Sequence, residues 1–307
     1  MTQPATPKQR STLRRSCLSV PGGSLRMQAK AAGLAADQLM FDLEDSVVAA
    51  EKEGARANIV ESLSGPLFQD GDWTLSVRVN DVSTRWFLDD VLEVVRKIGN
   101  RIQTVVLPKA ESPNDVVLLD GLLTQIERTE GWEPGAIGIE PQIESARSLQ
   151  QVEAIAGASP RVAALIFGPG DYAASLGLSE LTIGRMNHSY LSGPIGYALN
   201  RILVAARAAG VLAIDGPYGL VNDPEGLERS ARAAAELGFD GKWAIHPSQI
   251  EPINAALTPD EATYRKAVAM LEAYGGGAVR VGGEMIDEAN RKMAESIVAR
   301  GSKHYAQ

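Results

Sequence analysis

The chain has 307 residues, 45% of them apolar and 22% charged, which is enough apolar side chain for one large α/β core or two small ones. Its formal net charge of −8 disfavours nucleic acid or an anionic membrane as the main partner. The single cysteine, Cys17, excludes an intrachain disulfide and any multi-cysteine zinc site, and no run of about 18 apolar residues is present to span a bilayer.

Residues 1–12 are polar, carry Lys8 and Arg10 and lack an apolar signal core, so they read as a short disordered tail on a cytoplasmic protein. From there the chain repeats one pattern: a short β-rich run, a turn, then a helical segment. The runs are Cys17–Val20, Gln38–Phe41, Thr74–Val79, Thr104–Leu107, Ala136–Ile139, Val162–Phe167, Val211–Ile214 and Gly241–Ile245. Most are apolar throughout, as strands buried on both faces should be. The helices between them include 24–32, 49–63, 85–98, 145–156, 190–209 and 224–237, the last capped by Asp223 with Pro224 at its first position. Eight repeats in this length predict a (β/α)₈ TIM barrel over residues 13–257. An open doubly wound sheet is the alternative. It is weakened by Pro21-Gly22-Gly23, a plain turn where a dinucleotide fingerprint would stand.

Residues 258–307 differ in character. A helix begins at Thr258-Pro259-Asp260 with Tyr264, Ala267, Val268 and Leu271 on its apolar positions. Glycine breaks at 275–277 and 282–283 precede a second helix, with Ile286, Ala289, Met293 and Ile297 on one face. The segment reads either as a hinged arm or lid, or as a helix pair that closes the barrel bottom.

In a barrel the chemistry lies at the C-terminal ends of the strands. Those positions carry Asp42-Leu43-Glu44-Asp45, Arg78-Val79-Asn80-Asp81, Pro108-Lys109, Glu144, Asp171, Asp215 and His246-Pro247. Charges are costly to gather in one cleft unless they pair, bind metal or bind ligand. Glu144 and Asp171 are two hard oxygen donors at the ends of strands five and six. They suit Mg²⁺ with water left for substrate to displace, or else each caps the helix after it. Arg78 offers a planar fork for a substrate carboxylate, or pairs with Glu44 or Asp45. Lys109 is either a Schiff-base lysine or a partner of the surrounding acids, which would raise its pKa. His246 reads as a hydrogen-bonded structural histidine. The three histidines, His188, His246 and His304, lack metal-ligand spacing, and no Gly-x-Ser-x-Gly elbow is present.

An ordered set of motifs then resembles the citrate lyase β-subunit-like branch of the HpcH/HpaI aldolase family. It runs from Arg14-Arg15-Ser16-x-Leu18-x-Val20-Pro21-Gly22 and Lys30 to Asp42-Leu43-Glu44-Asp45-Ser46-Val47, Lys52 and Ala55-Arg56. It continues through Arg78-Val79-Asn80, Leu107-Pro108-Lys109, Ile143-Glu144-Ser145 and Gly168-Pro169-Gly170-Asp171-Tyr172. It ends with Asp215-Gly216-Pro217, the stretch from Gly238 to His246-Pro247, and Met285-Ile286-Asp287. Each motif alone is weak; their order across residues 14 to 290 is specific.

The resemblance implies a (β/α)₈ enzyme that makes or breaks a carbon–carbon bond beside an acyl-CoA thioester with Mg²⁺. It implies Glu144 and Asp171 as metal ligands, Arg78 at the substrate's carboxylate or carbonyl oxygen, and Glu44, Asp45 and Lys109 around the substrate. Arg15 and Lys30 match basic positions near the CoA phosphates. Asp287 matches the acid/base of a C-terminal lid, residues 258–307, exchanged between the subunits of a homotrimer or a hexamer. The expected reaction is cleavage of malyl-CoA, β-methylmalyl-CoA or citramalyl-CoA to acetyl-CoA or propionyl-CoA and a 2-oxoacid. Thioester hydrolysis, a β-subunit acting on an acyl-carrier-protein thioester, a metal-free Lys109 aldolase and a non-catalytic acyl-CoA-binding protein are the rivals. Glu284 stands where a basic residue is expected, and Ala255-Ala256-Leu257 replaces a more usual aromatic. Both departures bear on the lid and acyl specificity.

Overall fold

The computed structural model describes residues 13–185, 191–274, 279–281 and 284–305. The expected tail over residues 1–12, His188, and the glycine breaks at 275–277 and 282–283 lie outside the described residues. Two compact units divide at residue 254: 1–254 and 255–307.

In the first unit eight parallel strands close into a barrel in sequence order: β1 (Ser16–Pro21), β2 (Gln38–Asp42), β3 (Thr74–Arg78), β4 (Thr104–Leu107), β5 (Gly138–Ile143), β6 (Ala164–Phe167), β7 (Leu212–Asp215) and β8 (Gly241–Ala244). Helices connect them, so this is a (β/α)₈ TIM barrel. The open sheet is excluded by the β1–β8 seam, where Ser16, Cys17 and Leu18 pair with Lys242, Trp243 and Ala244.

Strand alternation sorts the residues. Cys17, Met40, Val106, Ala164, Ile166, Ile214 and Trp243, from six strands, form one buried cluster that fills the barrel interior. The same parity carries polar side chains above and below it. Toward the N-terminal ends, Gln38 donates to Ser76 Oγ at 2.9 Å and to Glu140 Oε2 at 3.0 Å, and Arg14 pairs with the other oxygen of Glu140. Toward the C-terminal ends, the parity that buries Met40 and Glu140 brings Asp42, Arg78 and Gln142 inward.

The helices cover the outer face by period 3.6. Pro113–Glu130 buries Val116, Leu119, Leu123 and Ile126, each contributing roughly 1.5–3 kcal/mol by leaving water. It starts where Asp115 accepts from the Glu111 and Ser112 amides at 2.8 Å, and it ends at Gly131 in the left-handed region.

The fifth strand lies later than the sequence predicts. The apolar run ends at Ile139, yet β5 runs on to Ile143 and pairs Pro141 with Leu107 of β4. The missing N–H falls on the β6 side instead. Ile139 donates to Arg161 O and accepts from Ala163 N, but two residues on Pro141 cannot donate. Pairing resumes at Gln142↔Ile166, so β6 bulges by one residue beside the proline.

The second unit begins at Ala255. It holds the helix Glu261–Ala273, capped by Asp260 whose Oδ1 accepts from Thr263 N at 2.7 Å, and the helix Glu288–Tyr305. Between them lies an antiparallel pair, β9 (Val279–Val281) and β10 (Glu284–Ile286), which the sequence reading missed. Ile286 therefore belongs to a strand. On the last helix Ala294 and Gly301 are buried while Met293 is exposed, so the packed face is rotated from the expected one. Small residues let the two helices approach: a Cβ on Gly301 would lie 2.5 Å from the Tyr264 ring.

The barrel seam yields a test. A Cβ on Gly241 would stand 1.8 Å from the Arg14 carbonyl oxygen, where Lys242 N bonds Arg15 O at 2.8 Å. Gly241→Ala should destabilise the barrel by about 1–3 kcal/mol in urea unfolding, and a value within error of zero would show that the seam relaxes freely.

Candidate active site

Four strand ends converge at the C-terminal mouth of the barrel. Arg78, at the end of β3 and 6% exposed, is the centre. Its Nε and Nη2 donate to the two Asp42 oxygens at 2.7 Å each, and its Nη1 lies 2.7 Å from Glu44 Oε2. Its guanidinium rests 5.0 Å from the Trp243 ring centroid. Burial disfavours the charges of Asp42 and Arg78. Their mutual attraction and two hydrogen bonds outweigh it, so the Asp42 pKa is lowered and that of Arg78 raised.

Lys109 follows β4 in a left-handed conformation, φ 48°, which a non-glycine residue adopts at a cost of roughly 1–2 kcal/mol. That turn aims two donors of one residue in different directions. The backbone N–H donates to Glu144 Oε1 at 2.6 Å, and Nζ pairs closely with Glu44 Oε1 and lies 3.7 Å from Asp45. Burial lowers the Lys109 pKa, but the bond to Glu44 and the surrounding acids outweigh it and raise it. A lysine held charged this way is a poor Schiff-base nucleophile. Pairing is the role its geometry favours.

Glu144 continues the inward parity of β5 and is 3% exposed. Besides the Lys109 amide it accepts Gln142 Nε2 at 2.5 Å. Gly168 makes the room: a Cβ there would lie 2.4 Å from Glu144 Cβ and Oε2. Burial, the Glu44 charge and the Asp171 charge push the Glu144 pKa up to about 8, against the Lys109 amide and Arg78. Asp171 is exposed, the third residue of the helix Pro169–Ser175. With Asp45, Ala173, Leu178, Ile183 and Arg185 it lines a cavity of about 610 Å³.

Among the described residues no three His, Cys, Asp or Glu are grouped to enclose a metal. Glu144 and Asp171 are two oxygen donors whose mutual repulsion a divalent cation would relieve. The donor set thus fits a hard cation that keeps positions for water or substrate, and not one caged by protein.

Other expected residues separate from this cluster. Arg15 is a correction. It precedes β1, at the N-terminal end of the barrel, and its guanidinium closes on Asp37 at 2.8 and 2.9 Å, so it does not reach the mouth. Lys30 lies in the last turn of the helix Leu25–Ala31 that follows β1. With Ser19, Arg26, Met27 and His246 it lines a second cleft of about 380 Å³. Asp215 is taken by Lys242 at 2.5 Å, and Asp81 closes its own turn onto Ser83. His246 accepts the Ser248 N–H at 3.2 Å and caps the turn Pro247–Gln249. Asp287, in the second unit, accepts from the Ala289 and Asn290 amides at 2.9 and 3.1 Å through Oδ1 and so starts the last helix. The sequence reading missed Gln142 and Trp243. Both sit on the inward parity of their strands, Gln142 two residues before Glu144 and Trp243 three before His246.

Residues 15–247 match the profile of the HpcH/HpaI aldolase/citrate lyase family. The chain is 38% identical to the L-malyl-CoA/beta-methylmalyl-CoA lyase of Cereibacter sphaeroides over 96% of each chain. It is 35% identical to the citrate lyase subunit beta of Escherichia coli over 92% of each. The structure of the CitE protein of Mycobacterium tuberculosis in complex with magnesium, acetoacetate and coenzyme A superposes with a TM-score of 0.74 at 29% identity, covering 95% of this chain and 99% of that one. No helix among the described residues is long and apolar enough to cross a membrane. An acid-rich mouth on a closed parallel barrel and these relatives agree: the chain belongs to the HpcH/HpaI aldolase/citrate lyase family and is a lyase.

Proposed function

We propose that the chain is a Mg²⁺-dependent lyase that reversibly cleaves a 3-hydroxy-carboxyacyl-CoA, of the malyl-CoA, β-methylmalyl-CoA or citramalyl-CoA type, to acetyl-CoA or propionyl-CoA and a 2-oxoacid. The observation that carries this is Glu144, buried among acids yet held by the Lys109 amide and by Gln142 with Asp171 beside it. The similarity to CoA-ester lyases and to a magnesium- and CoA-bound relative supports the substrate class and the ion.

Glu144 and Asp171 would hold Mg²⁺, and the ion when bound would lower the cost of negative charge on a substrate oxygen. Arg78 has five N–H donors and spends only part of them on Asp42 and Glu44, which leaves Nη1 and Nη2 hydrogens for a substrate oxygen. Its fixed, buried position means this charge needs no reorganisation when the oxyanion develops. Glu44, Asp45 and Lys109 frame the substrate: Glu44 and Lys109 neutralise each other and keep Arg78 and the Glu144 carboxylate in place. In cleavage the 3-hydroxyl proton passes to solvent water, the carbon–carbon electron pair passes into the thioester as an enolate, and protonated Asp287 delivers a proton to the α-carbon. In synthesis Asp287 removes that proton. Its Oδ1 is engaged in the helix cap, and its Oδ2 has no hydrogen bond among the described residues. Lys30, with Arg26 in the second cleft, would meet the CoA phosphates. Residues 258–307 would act as a lid lent by a neighbouring subunit of a trimer or hexamer.

Three outcomes test this. Purified chain with Mg²⁺ should release acetyl- or propionyl-CoA from these thioesters and stop in EDTA; free CoA as the only product would mean a thioesterase, and full activity in EDTA would defeat the metal reading. Glu144→Gln should lower kcat by at least about 100-fold. Mixing Glu144→Gln and Asp287→Asn chains should restore roughly a quarter of the activity by random subunit pairing if the lid serves a neighbour, and nothing if Asp287 acts in its own chain.

The raised Glu144 pKa sets a pH dependence. Without a cation the folded state holds this proton to about pH 8, whereas the ordinary value is 4.5. The stability linked to it is full below pH 4.5 and is lost as pH rises through about 8. Mg²⁺ should therefore bind with proton release, more tightly as pH approaches 8, and offset that loss. Urea melts across this range with EDTA or Mg²⁺ check it. A pH-dependent gap that persists in Glu144→Gln would assign the effect elsewhere.

A further inference from the structure

One buried cation beside the mouth is used by none of these steps. Lys52, the first residue of the helix Lys52–Ser64, is 6% exposed. Its Nζ donates to the carbonyls of Leu43 and Glu44 and to Asn80 Oδ1, each at 2.7 Å. All three ammonium hydrogens are thus spent on uncharged acceptors. Its Nζ also lies 5.3 Å from the Trp86 ring centroid. Burial pulls the Lys52 pKa below the usual lysine value, against the fields of Asp42, Asp90, Glu44 and Asp45.

The acceptors are fixed in turn. Asn80 donates its backbone N–H and its side-chain amide to Asp90 Oδ2 at 2.7 and 2.6 Å, and the same amide reaches Leu43 O at 3.1 Å. These bonds leave Asn80 Oδ1 as the atom that faces Lys52. Asp90 takes Arg56 Nε at 2.8 Å on its other oxygen. The chain Arg56, Asp90, Asn80, Lys52 therefore ends on the two carbonyls that set the backbone of Glu44. From that backbone the Glu44 carboxylate spans Arg78 and Lys109, and through Lys109 the network reaches Glu144.

We propose that Lys52 is a positioning residue that acts through Glu44, clamping the β2 loop so that one carboxylate can hold both Arg78 and Lys109. It touches no reacting atom. This rests on the mouth being the lyase site. A buried ammonium with no carboxylate bonded to it is an expensive way to gain stability alone, whereas it locks two adjacent carbonyls in a way an apolar side chain cannot.

The test is a double-mutant cycle with malyl-CoA and Mg²⁺, using Lys52→Met and Lys52→Gln, each alone and combined with Glu44→Gln. The milder glutamine variant keeps an amide donor in case the methionine variant does not fold. In the parent chain each change should lower kcat by about tenfold or more with KM for the thioester moved less than about threefold; in the Glu44→Gln background the further loss should be under about twofold. Equal losses in both backgrounds, or unchanged turnover in the single variants, would overturn the proposal. Should the unsubstituted chain turn over none of the acyl-CoA esters, the functional reading fails on its own, and a crystal structure of Lys52→Gln decides the positioning. A Glu44 carboxylate withdrawn from Arg78 and Lys109 supports it, and an unmoved one overturns it.

Discussion

The mouth of this barrel depends on the sharing of one guanidinium by two carboxylates. Asp42 and Glu44 lie two residues apart on one strand end, nearly sealed from water, and neither could stay ionised there alone. Arg78 holds Asp42 through two hydrogen bonds and Glu44 through one close contact, and its guanidinium carbon lies over the Trp243 ring, 5.0 Å from the centroid. Removing the arginine would leave Asp42 an uncompensated buried charge and Glu44 with Lys109 as its one cationic partner, a far larger penalty than the net worth of the pair.

From that pair the charges alternate outward. Glu44 meets Lys109, and the Lys109 backbone meets Glu144, so acid and base follow each other across strands two, three, four and five. The alternation breaks at Glu144, whose remaining neighbour is Asp171. A carboxylate with its pKa pushed up to about 8 is the signature of that break. It marks the place where the negative charge of the mouth outweighs the positive charge the chain supplies.

The barrel makes this possible by register. One parity of β2, β3 and β5 places Gln38, Ser76 and Glu140 below the apolar plug and Asp42, Arg78 and Gln142 above it. The lower layer is closed by Arg14 and gives rigidity, while the upper layer holds the Asp42–Arg78 pair at the mouth. Pro141 contributes by interrupting the β5–β6 ladder, so the end of β6 meets β5 one residue out of step, with Gly168 against the Glu144 side chain.

The sequence was enough to predict the barrel, because eight apolar runs alternating with helical periods can bury all their faces in few other ways. The sequence also placed Glu44, Arg78, Lys109 and Glu144 at or just beyond the C-terminal ends of the strands, and its ordered motifs pointed to the family. It could not separate acids that face the mouth from those taken elsewhere: Asp215 and Asp81 look like Glu144 in one dimension, and only the strand parity and the Lys242 partner remove them. Arg15 was misplaced because a motif carries no direction along the strand. The end of β5 was misjudged because the apolar run stops at Ile139, whereas the strand continues through polar residues that face the barrel interior and through Pro141, whose missing N–H interrupts only the β6 side. Tertiary structure alone decided the sharing of Arg78, the left-handed turn at Lys109, and the unbalanced charge at Glu144. These depend on distances between residues far apart in the chain, and no local pattern encodes them.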